Sequence, residues 1–233
     1  MNEEIIWICP YCEEGFDISD GKVEIKMKFY TTAKCPYCEK WMMEDEVIEI
    51  KNGGVKMVDK SQLDLCLRWI ESDKIKSWTE DFLKNKTPDY FWEIPASSTG
   101  KYHPKYAAEE SGLVKHTKVA FHIAMNMLDD EVWSFNELQR DIILSAILLH
   151  DTRKLGVPKQ EYTVDEHPKL VADAIMEECE SGSIRSKIAM AIETHMGQWG
   201  EKPPENEMQF FVHLCDYLSS RKYMEVNFDR MKV

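Results

Sequence analysis

The sequence predicts a mainly α-helical protein that begins with a small β module. From Ser61 onward, apolar residues recur with a period of about 3.6 residues, as they do on one face of a helix. Before Ser61, short alternating segments are separated by turn signals, as in β-strands. Hydrophobic residues make up 43% of the 233 residues and charged residues 30%, which suits a buried core with a solvated surface. We expect two domains, residues 1–59 and 60–233.

The β module is predicted from four short segments, at residues 5–8, 23–30, 47–50 and 55–58. Asn52-Gly53-Gly54 is a hairpin signal between the last two. A module of this size buries little apolar surface and usually needs a staple, such as a bound metal.

Four cysteines of this module occur as two copies of the tetrapeptide Cys-Pro-Tyr-Cys, which supply Cys9, Cys12, Cys35 and Cys38. The two-residue spacing lets each copy direct two thiolates at one ion, and two copies complete a closed tetrahedral site. The sequence therefore predicts a ribbon with one structural zinc. A thioredoxin-like redox pair and four unconnected thiols are the alternatives.

Charge bears on the role of this ribbon. Zinc ribbons often touch nucleic acid, but residues 1–50 contain twelve acidic residues against five lysines. Nucleic-acid binding depends on Lys and Arg. We therefore favour contact with a protein partner, or simple bracing of the fold.

The remainder of the chain is predicted to be helical. Two helices are expected between residues 61 and 86, followed by a Pro- and Ser-containing loop at 87–104. Five further helices are predicted at 109–128, 135–151, 167–180, 184–195 and 207–223, separated by Gly and Pro.

His150-Asp151 stands at the end of an apolar helix, residues 142–149, which can hold both side chains rigidly. Neighbours on a helix point about 100° apart, so the imidazole can bind one metal ion while the carboxylate reaches between two. Other helices supply further residues of the same types, namely His116, His167, His195 and Asp216. Alternatively, these histidines are hydrogen-bonded core residues or scattered surface groups.

This order of His, His-Asp, His, His and Asp resembles the HD superfamily of metal-dependent phosphohydrolases, over about residues 95–221. Ile94-Pro95-Ala96 and the segment from Ser111 to Thr117 are similar to the entry of its first motif, particularly in the 3′-to-5′ exoribonuclease and nucleotide-hydrolysing branches. Lys154 keeps the family's lysine three residues after the Asp, whereas Arg153 stands where a Gly is usual.

The resemblance implies a helical HD bundle and a ligand set. His116, His150, Asp151 and Asp216 would hold one divalent ion, and Asp151, His167 and His195 a second, with Asp151 bridging. A metal-activated hydroxide would then attack phosphorus, and Lys154 would contact the phosphate. Mn, Fe, Ni, Mg or Zn could serve, and one ion with a water in the second position would also fit.

Four residues are candidates for substrate contact: His103, Arg153, Trp199 and Arg221. Trp199 either stacks on a base at the mouth of the site or packs structurally. His213 lies three residues before Asp216 on the same helical face, so it either supports a ligand or packs in the core.

The formal net charge of −13 at pH 7 opposes sequence-indifferent binding to long nucleic acids and favours small substrates. The acidic start, Met1-Asn2-Glu3-Glu4, is unlike a secretion signal, and the longest apolar run, 142–149, is too short to span a bilayer. We expect a cytoplasmic protein with no membrane contact.

Three functions follow from the residues and the resemblance. The first is an enzyme that cleaves phosphoester or phosphoanhydride bonds of nucleotides. The second is a 3′-to-5′ exonuclease on RNA or single-stranded DNA. The third is a non-catalytic nucleotide-sensing or scaffold protein.

Overall fold

The computed structural model describes residues 58–97, 103–228 and 231, and the backbone of six strands between residues 5 and 51. The chain divides into two compact units, Met1–Met57 and Val58–Val233. The described part of the second unit is helical, which confirms the prediction of a mainly α protein.

The first unit contains two antiparallel three-stranded sheets. Their strands are β1 (Ile5–Ile8), β2 (Gly15–Asp17), β3 (Ile25–Met27), β4 (Thr31–Lys34), β5 (Trp41–Met43) and β6 (Ile48–Lys51). One sheet has the order β2-β1-β6 and the other β3-β4-β5. β6 pairs with β1, with Ile6 opposite Ile50.

Several predictions for the first unit fall on residues whose structure is not described. They are Cys9, Cys12, Cys35 and Cys38, the turn at 52–54, and residues 55–57 of the last predicted strand. The zinc ribbon therefore stays a prediction.

Seven α-helices lie in the described part of the second unit. They are α1 (Asp64–Leu67), α2 (Asp73–Asp81), α3 (Gly112–Leu128), α4 (Glu137–Leu149), α5 (His167–Met176), α6 (Ile184–Glu193) and α7 (Glu207–Ser219). A π-helical turn, Phe82–Lys86, extends α2. Shorter 3-10 turns are Asp89–Trp92, Lys105–Ala108 and Gly197–Trp199.

The central helix is α4, which packs against α2, α3, α6 and α7. Residues 141–149 are all buried, and apart from Asp141 and Ser145 this segment is apolar on every side. The two carboxylate oxygens of Asp141 accept the backbone N–H groups of Glu71 (2.9 Å) and Ser72 (2.8 Å). These bonds satisfy a buried charge and attach the start of α2 to α4.

Helix ends differ from the predictions for identifiable reasons. α3 begins at Gly112 instead of residue 109, because the backbone before it is not helical: Glu109 is extended and Ser111 is left-handed, with φ 54°. α7 ends at Ser219 instead of residue 223, where the hydroxyls of Ser219 and Ser220 donate to carbonyls one turn back and compete with the helical pattern. The C-terminal ends of α4 and α5 also come two to four residues earlier than predicted.

Among the described residues, the helices are too short or too polar to cross a lipid bilayer.

Candidate metal centre

The six residues predicted as metal ligands come from five helices or helix ends. His116 lies within α3, His150 caps α4 and Asp151 follows it, His167 begins α5, His195 follows α6, and Asp216 lies in α7. The four histidines and Asp151 are each at most 1% exposed, whereas the Asp216 side chain is 18% exposed. The structure brings all six together around one buried point.

Four of them form a first group. The Oδ1 atom of Asp216 lies 2.9 Å from Nε2 of His116 and 3.5 Å from Nε2 of His150. The Oδ2 atom of Asp151 lies 3.7 Å and 3.5 Å from the same two nitrogens. Ligand atoms bound to one ion at about 2.0–2.2 Å are separated by about 3 to 4 Å, so these spacings suit one divalent ion.

A second group uses the other oxygen of Asp151. Its Oδ1 atom lies 3.1 Å from Nε2 of His167 and 3.6 Å from Nε2 of His195. These three side chains, and separately His116, His150 and Asp151, could each hold a metal ion. Asp151 belongs to both groups, with one carboxylate oxygen facing each.

Three ring orientations are fixed by backbone carbonyls. The Nδ1 atoms of His150, His167 and His195 lie 2.7 to 2.8 Å from the carbonyl oxygen of the residue three positions earlier in each case. A carbonyl oxygen can only accept, so each Nδ1 carries the proton and each Nε2 directs a lone pair into the site. Carbonyl partners of this kind are typical of metal-ligating histidines.

His116 is held by a hydroxyl instead. The Ser219 hydroxyl donates to the Asp216 carbonyl at 2.8 Å, and its oxygen lies 3.2 Å from Nδ1 of His116. That oxygen therefore accepts from Nδ1 of His116 and turns its Nε2 toward the Asp216 and Asp151 carboxylates. Sequence reasoning missed Ser219, although its position one turn after Asp216 places both on the same face of α7.

Two buried atoms of this site have no hydrogen-bond partner, Nε2 of His150 and Oδ1 of Asp151. Buried polar atoms are normally satisfied, because an unpaired one costs about 1–3 kcal/mol. A divalent cation would accept electron pairs from both. The donor set of imidazoles and carboxylates therefore fits a metal centre.

The electrostatics of the site also favour positive charge. Burial disfavours the ionised form of Asp151, but the neighbouring Lys154 ammonium and the imidazoles outweigh it and hold its pKa well below the usual range. For His150, burial lowers the pKa, but the carboxylates of Asp151 and Asp216 prevail and raise it. Burial lowers the pKa of His195, which favours the neutral ring that binds metal.

Lys154 is the only lysine or arginine among the described residues with an ion pair to this cluster. Its Nζ atom lies 2.5 Å from Oδ2 of Asp151, and its side chain is 12% exposed. Because it also lines the cavity beside the site, its ammonium can reach a bound anion.

A cavity of about 560 Å³ opens beside the second group. Asp151, His167, His195 and Asp216 contribute to its wall, whereas His116 and His150 do not. A ligand in this cavity would therefore approach from the side of His167 and His195. The volume is in the range of small-molecule sites, about 300–1,000 Å³.

The structure separates the four residues predicted to contact substrate. His103, Trp199 and Arg221 line the cavity, whereas Arg153 is absent from its described lining. The Arg153 guanidinium instead lies near Tyr90, where its charge partly offsets the burial that raises the pKa of that phenol. Arg153 does not line the cavity although its neighbours Asp151 and Lys154 do, so the prediction that it contacts substrate lacks support.

His103 and His213 take different positions. The His103 ring centroid lies 5.8 Å from that of His116, its Nδ1 is buried without a hydrogen-bond partner, and burial lowers its pKa to about 4. His213 is part of the scaffold, since its Nδ1 donates to the backbone oxygen of His195 at 2.7 Å. Tyr217, which also lines the cavity, was missed because a tyrosine next to Asp216 has no distinctive signal in the sequence.

This chain is similar to a curated relative over most of its length. The 3′-5′ exoribonuclease YhaM of Bacillus pumilus (strain SAFR-032) is 26% identical over 181 residues, covering 70% of this chain and 54% of the relative. The chain thus spans about half the length of that protein. No family model matches the sequence, and no solved structure matches it.

Proposed function

We propose that this chain is a metal-dependent phosphohydrolase of the HD superfamily, which cleaves phosphoester or phosphoanhydride bonds of nucleotides. The observation that carries the proposal is the position of Asp151, whose two carboxylate oxygens face two separate groups of imidazoles. A site of this kind can hold two ions, which supply an acidified water as nucleophile and neutralise charge on the phosphoryl oxygens.

The residues of the chain have distinct tasks in this proposal. His116, His150, Asp151 and Asp216 bind one ion, and Asp151, His167 and His195 bind the other. The second group, which is the one nearer the cavity, offers three protein ligands and so would leave positions for water or substrate on an ion held there. Mn, Fe, Ni, Mg and Zn all fit imidazole and carboxylate ligands.

Lys154 has the task of contacting the substrate phosphate. Its ammonium already lies against Asp151 and faces the cavity, so it can bind a phosphoryl oxygen without a large movement. A fixed cation next to the reacting phosphate stabilises charge that develops during cleavage. His103 lies on the same wall and can donate a hydrogen bond to that phosphate.

The second candidate is a 3′-to-5′ exonuclease acting on RNA or single-stranded DNA, and the observation that favours it is the relative's name. The acidic balance of the chain favours small substrates over long polyanions. A nucleotide-sensing or scaffold role is the third candidate, and the full set of ligands argues against it.

We propose a separate role for the amino-terminal unit. Cys9, Cys12, Cys35 and Cys38 would bind one structural zinc, and the acidic ribbon would contact a protein partner or serve as simple structural bracing. The zinc content of wild type and of Cys35→Ser tests the proposed zinc site, since the variant is expected to lose one equivalent of zinc.

The main experiment compares wild type with Asp151→Asn after loading with Mn²⁺. Each protein is incubated with mixed nucleotides and with a 5′-labelled oligoribonucleotide, and phosphate release and 3′ shortening are measured. We expect activity in wild type and a loss of at least about 100-fold in the variant. Asp173→Asn is the matched control, because Asp173 is exposed and pairs only with Lys169 among described residues.

The outcomes separate the candidates. Release from free nucleotides supports the first, shortening of the oligonucleotide supports the second, and neither activity in a metal-loaded protein supports the third. An equal loss of activity in Asp173→Asn would contradict the assignment of the site.

A further inference from the structure

The rings of Trp199 and Tyr217 stack in parallel in the wall of the cavity. Their ring centroids lie 5.5 Å apart and their planes differ by 7°, which is a stacked arrangement. The guanidinium carbon of Arg221 lies 3.9 Å from the Tyr217 centroid, and all three residues line the cavity. We call Trp199, Tyr217 and Arg221 the aromatic ledge.

The exposure of Trp199 is unusual for its position. Its side chain is 57% exposed although it lines a cavity that also contains four of the proposed metal ligands. Isolated exposed aromatics are common on protein surfaces, and Tyr223 is one of them. Trp199 differs from such residues because its ring stacks on Tyr217 and lines the same cavity as His195 and Asp216.

The backbone fixes the ledge relative to the metal centre. His195 and Trp199 belong to one short segment that includes the 3-10 turn Gly197–Trp199. Gly197 has φ +57° and packs on the His213 ring so closely that a Cβ there would lie 2.3 Å from Cε1 of His213. His213 in turn donates to the His195 carbonyl. These contacts connect the segment that carries Trp199 to His195.

We propose that the aromatic ledge binds the base of a nucleoside phosphate whose phosphate group lies at the metal centre. This inference rests on the proposed function and names the part of the substrate that the site recognises beyond phosphate. Stacking uses the π-face that every base has, so the ledge tolerates all four bases. The Arg221 guanidinium adds a planar cation to the stacking surface.

Binding of phosphonate analogues tests the ledge without catalysis. The full chain loaded with Mn²⁺ is titrated by calorimetry with the analogues of AMP and of ribose 5-phosphate in which a methylene group replaces the ester oxygen and prevents hydrolysis. Base stacking corresponds to about 5- to 150-fold in affinity, so we expect wild type to bind the AMP analogue at least about 5-fold more tightly.

Three variants isolate the contribution of Trp199. Trp199→Ala should bind both analogues equally, with affinity for the ribose analogue unchanged, whereas Trp199→Phe should retain part of the preference. Trp69→Ala is the matched control, because Trp69 is 43% exposed and lines a different cavity with none of the proposed metal ligands. It should keep the full preference. Circular dichroism checks that each variant is folded.

The results that would overturn the aromatic ledge differ from those that would overturn the proposed function. A wild type that binds both analogues equally, or a Trp199→Ala variant that keeps the preference, overturns the ledge even if the protein hydrolyses nucleotides. A preference that disappears in Trp199→Ala supports the ledge even if no hydrolysis is found. Loss of the preference in Trp69→Ala as well would overturn it as a non-specific effect.

Discussion

The Nε2 atoms of His167 and His195 lie 3.3 Å apart, within the separation expected of two ligands on one ion. Both nitrogens are acceptors, because their Nδ1 atoms donate to the carbonyls of Val164 and Ile192. Two lone pairs that face each other in a buried site repel unless a cation lies between them. A cation bound between the two nitrogens would remove this repulsion, so we expect metal binding to stabilise the fold.

Mn²⁺ should consequently raise the thermal stability of wild type and leave Asp151→Asn nearly unchanged. A ligand at 100 times its Kd stabilises a protein by about 2.7 kcal/mol, which is roughly 5–10 °C in Tm for a chain of this size. Differential scanning calorimetry with and without Mn²⁺ measures the shift. Mn²⁺ is chosen because it prefers oxygen and nitrogen ligands over thiolates. An equal rise in the variant would indicate that Mn²⁺ binds elsewhere.

Replacing Ser219 by Ala should weaken metal binding while the fold is retained. The variant removes the oxygen that accepts from Nδ1 of His116 and fixes its ring. Loss of such a partner lowers metal affinity by about 10- to 100-fold. Metal titration by calorimetry measures it. Ser186→Ala is the matched control, since the Ser186 hydroxyl makes the same bond to a carbonyl three residues earlier but lies in α6 away from the ligands. Unchanged affinity in Ser219→Ala would contradict the role of this hydroxyl.

Lys154→Met should separate turnover from metal binding. The ammonium pairs with Asp151 and faces the cavity, so its removal takes away a cation for the phosphate but no ligand. We expect turnover to fall by about 10²- to 10³-fold with metal content unchanged. Steady-state kinetics and metal analysis test both parts. Lys169→Met, at an exposed lysine, should leave both unchanged. A parallel loss of metal and activity would show that Lys154 supports the site instead of the reaction.

Tyr90→Phe should change how the free energy of unfolding depends on pH in the alkaline range. Burial raises the pKa of Tyr90 to about 12, although a hydrogen bond from the Leu155 N–H opposes this, whereas the unfolded chain has a pKa of about 10. The folded state therefore holds the phenol proton more tightly. That stabilisation is complete below about pH 10 and is lost as the pH rises from there toward 12.

The variant should accordingly lose less stability than wild type between about pH 9 and 11. At pH 7 it should be less stable by about 1–3 kcal/mol, because the Leu155 N–H and the Gly156 carbonyl lose their buried partner. Urea denaturation at several pH values measures both effects. Tyr162→Phe, at an exposed tyrosine, should follow wild type. Parallel curves for Tyr90→Phe and wild type would contradict the prediction.

The sequence predicted the helical architecture because apolar residues recur with a helical period in most of the helices, and because the run that became α4 is continuously apolar. The expectation that these His and Asp residues would lie together came from the resemblance to the HD superfamily, because periodicity places each residue in or next to a helix but does not show which of them meet. Helix ends were less predictable. They depend on local competition, such as the Ser219 and Ser220 hydroxyls that end α7.

Contacts that depend on loop geometry could not be predicted from the sequence. The stacking of Trp199 on Tyr217 requires the left-handed turn at Gly197, and one Gly among several gave no sign of it. The turn after Asp151 likewise carries Arg153 away from the cavity, and Tyr90, 61 positions earlier in the chain than Asp151, anchors that turn through the Gly156 carbonyl. Such long-range contacts leave no periodic pattern.

Two helices end at the ligand cluster, α4 at His150 and α6 just before His195. The carboxyl end of a helix carries a partial negative charge from its aligned peptide dipoles, and here two such ends add to the buried Asp151 carboxylate and the partly buried Asp216 carboxylate. These groups together attract cations and repel anions, a phosphate among them. We expect cations to bind first and reverse the local potential, so that a negatively charged ligand then finds an attractive site.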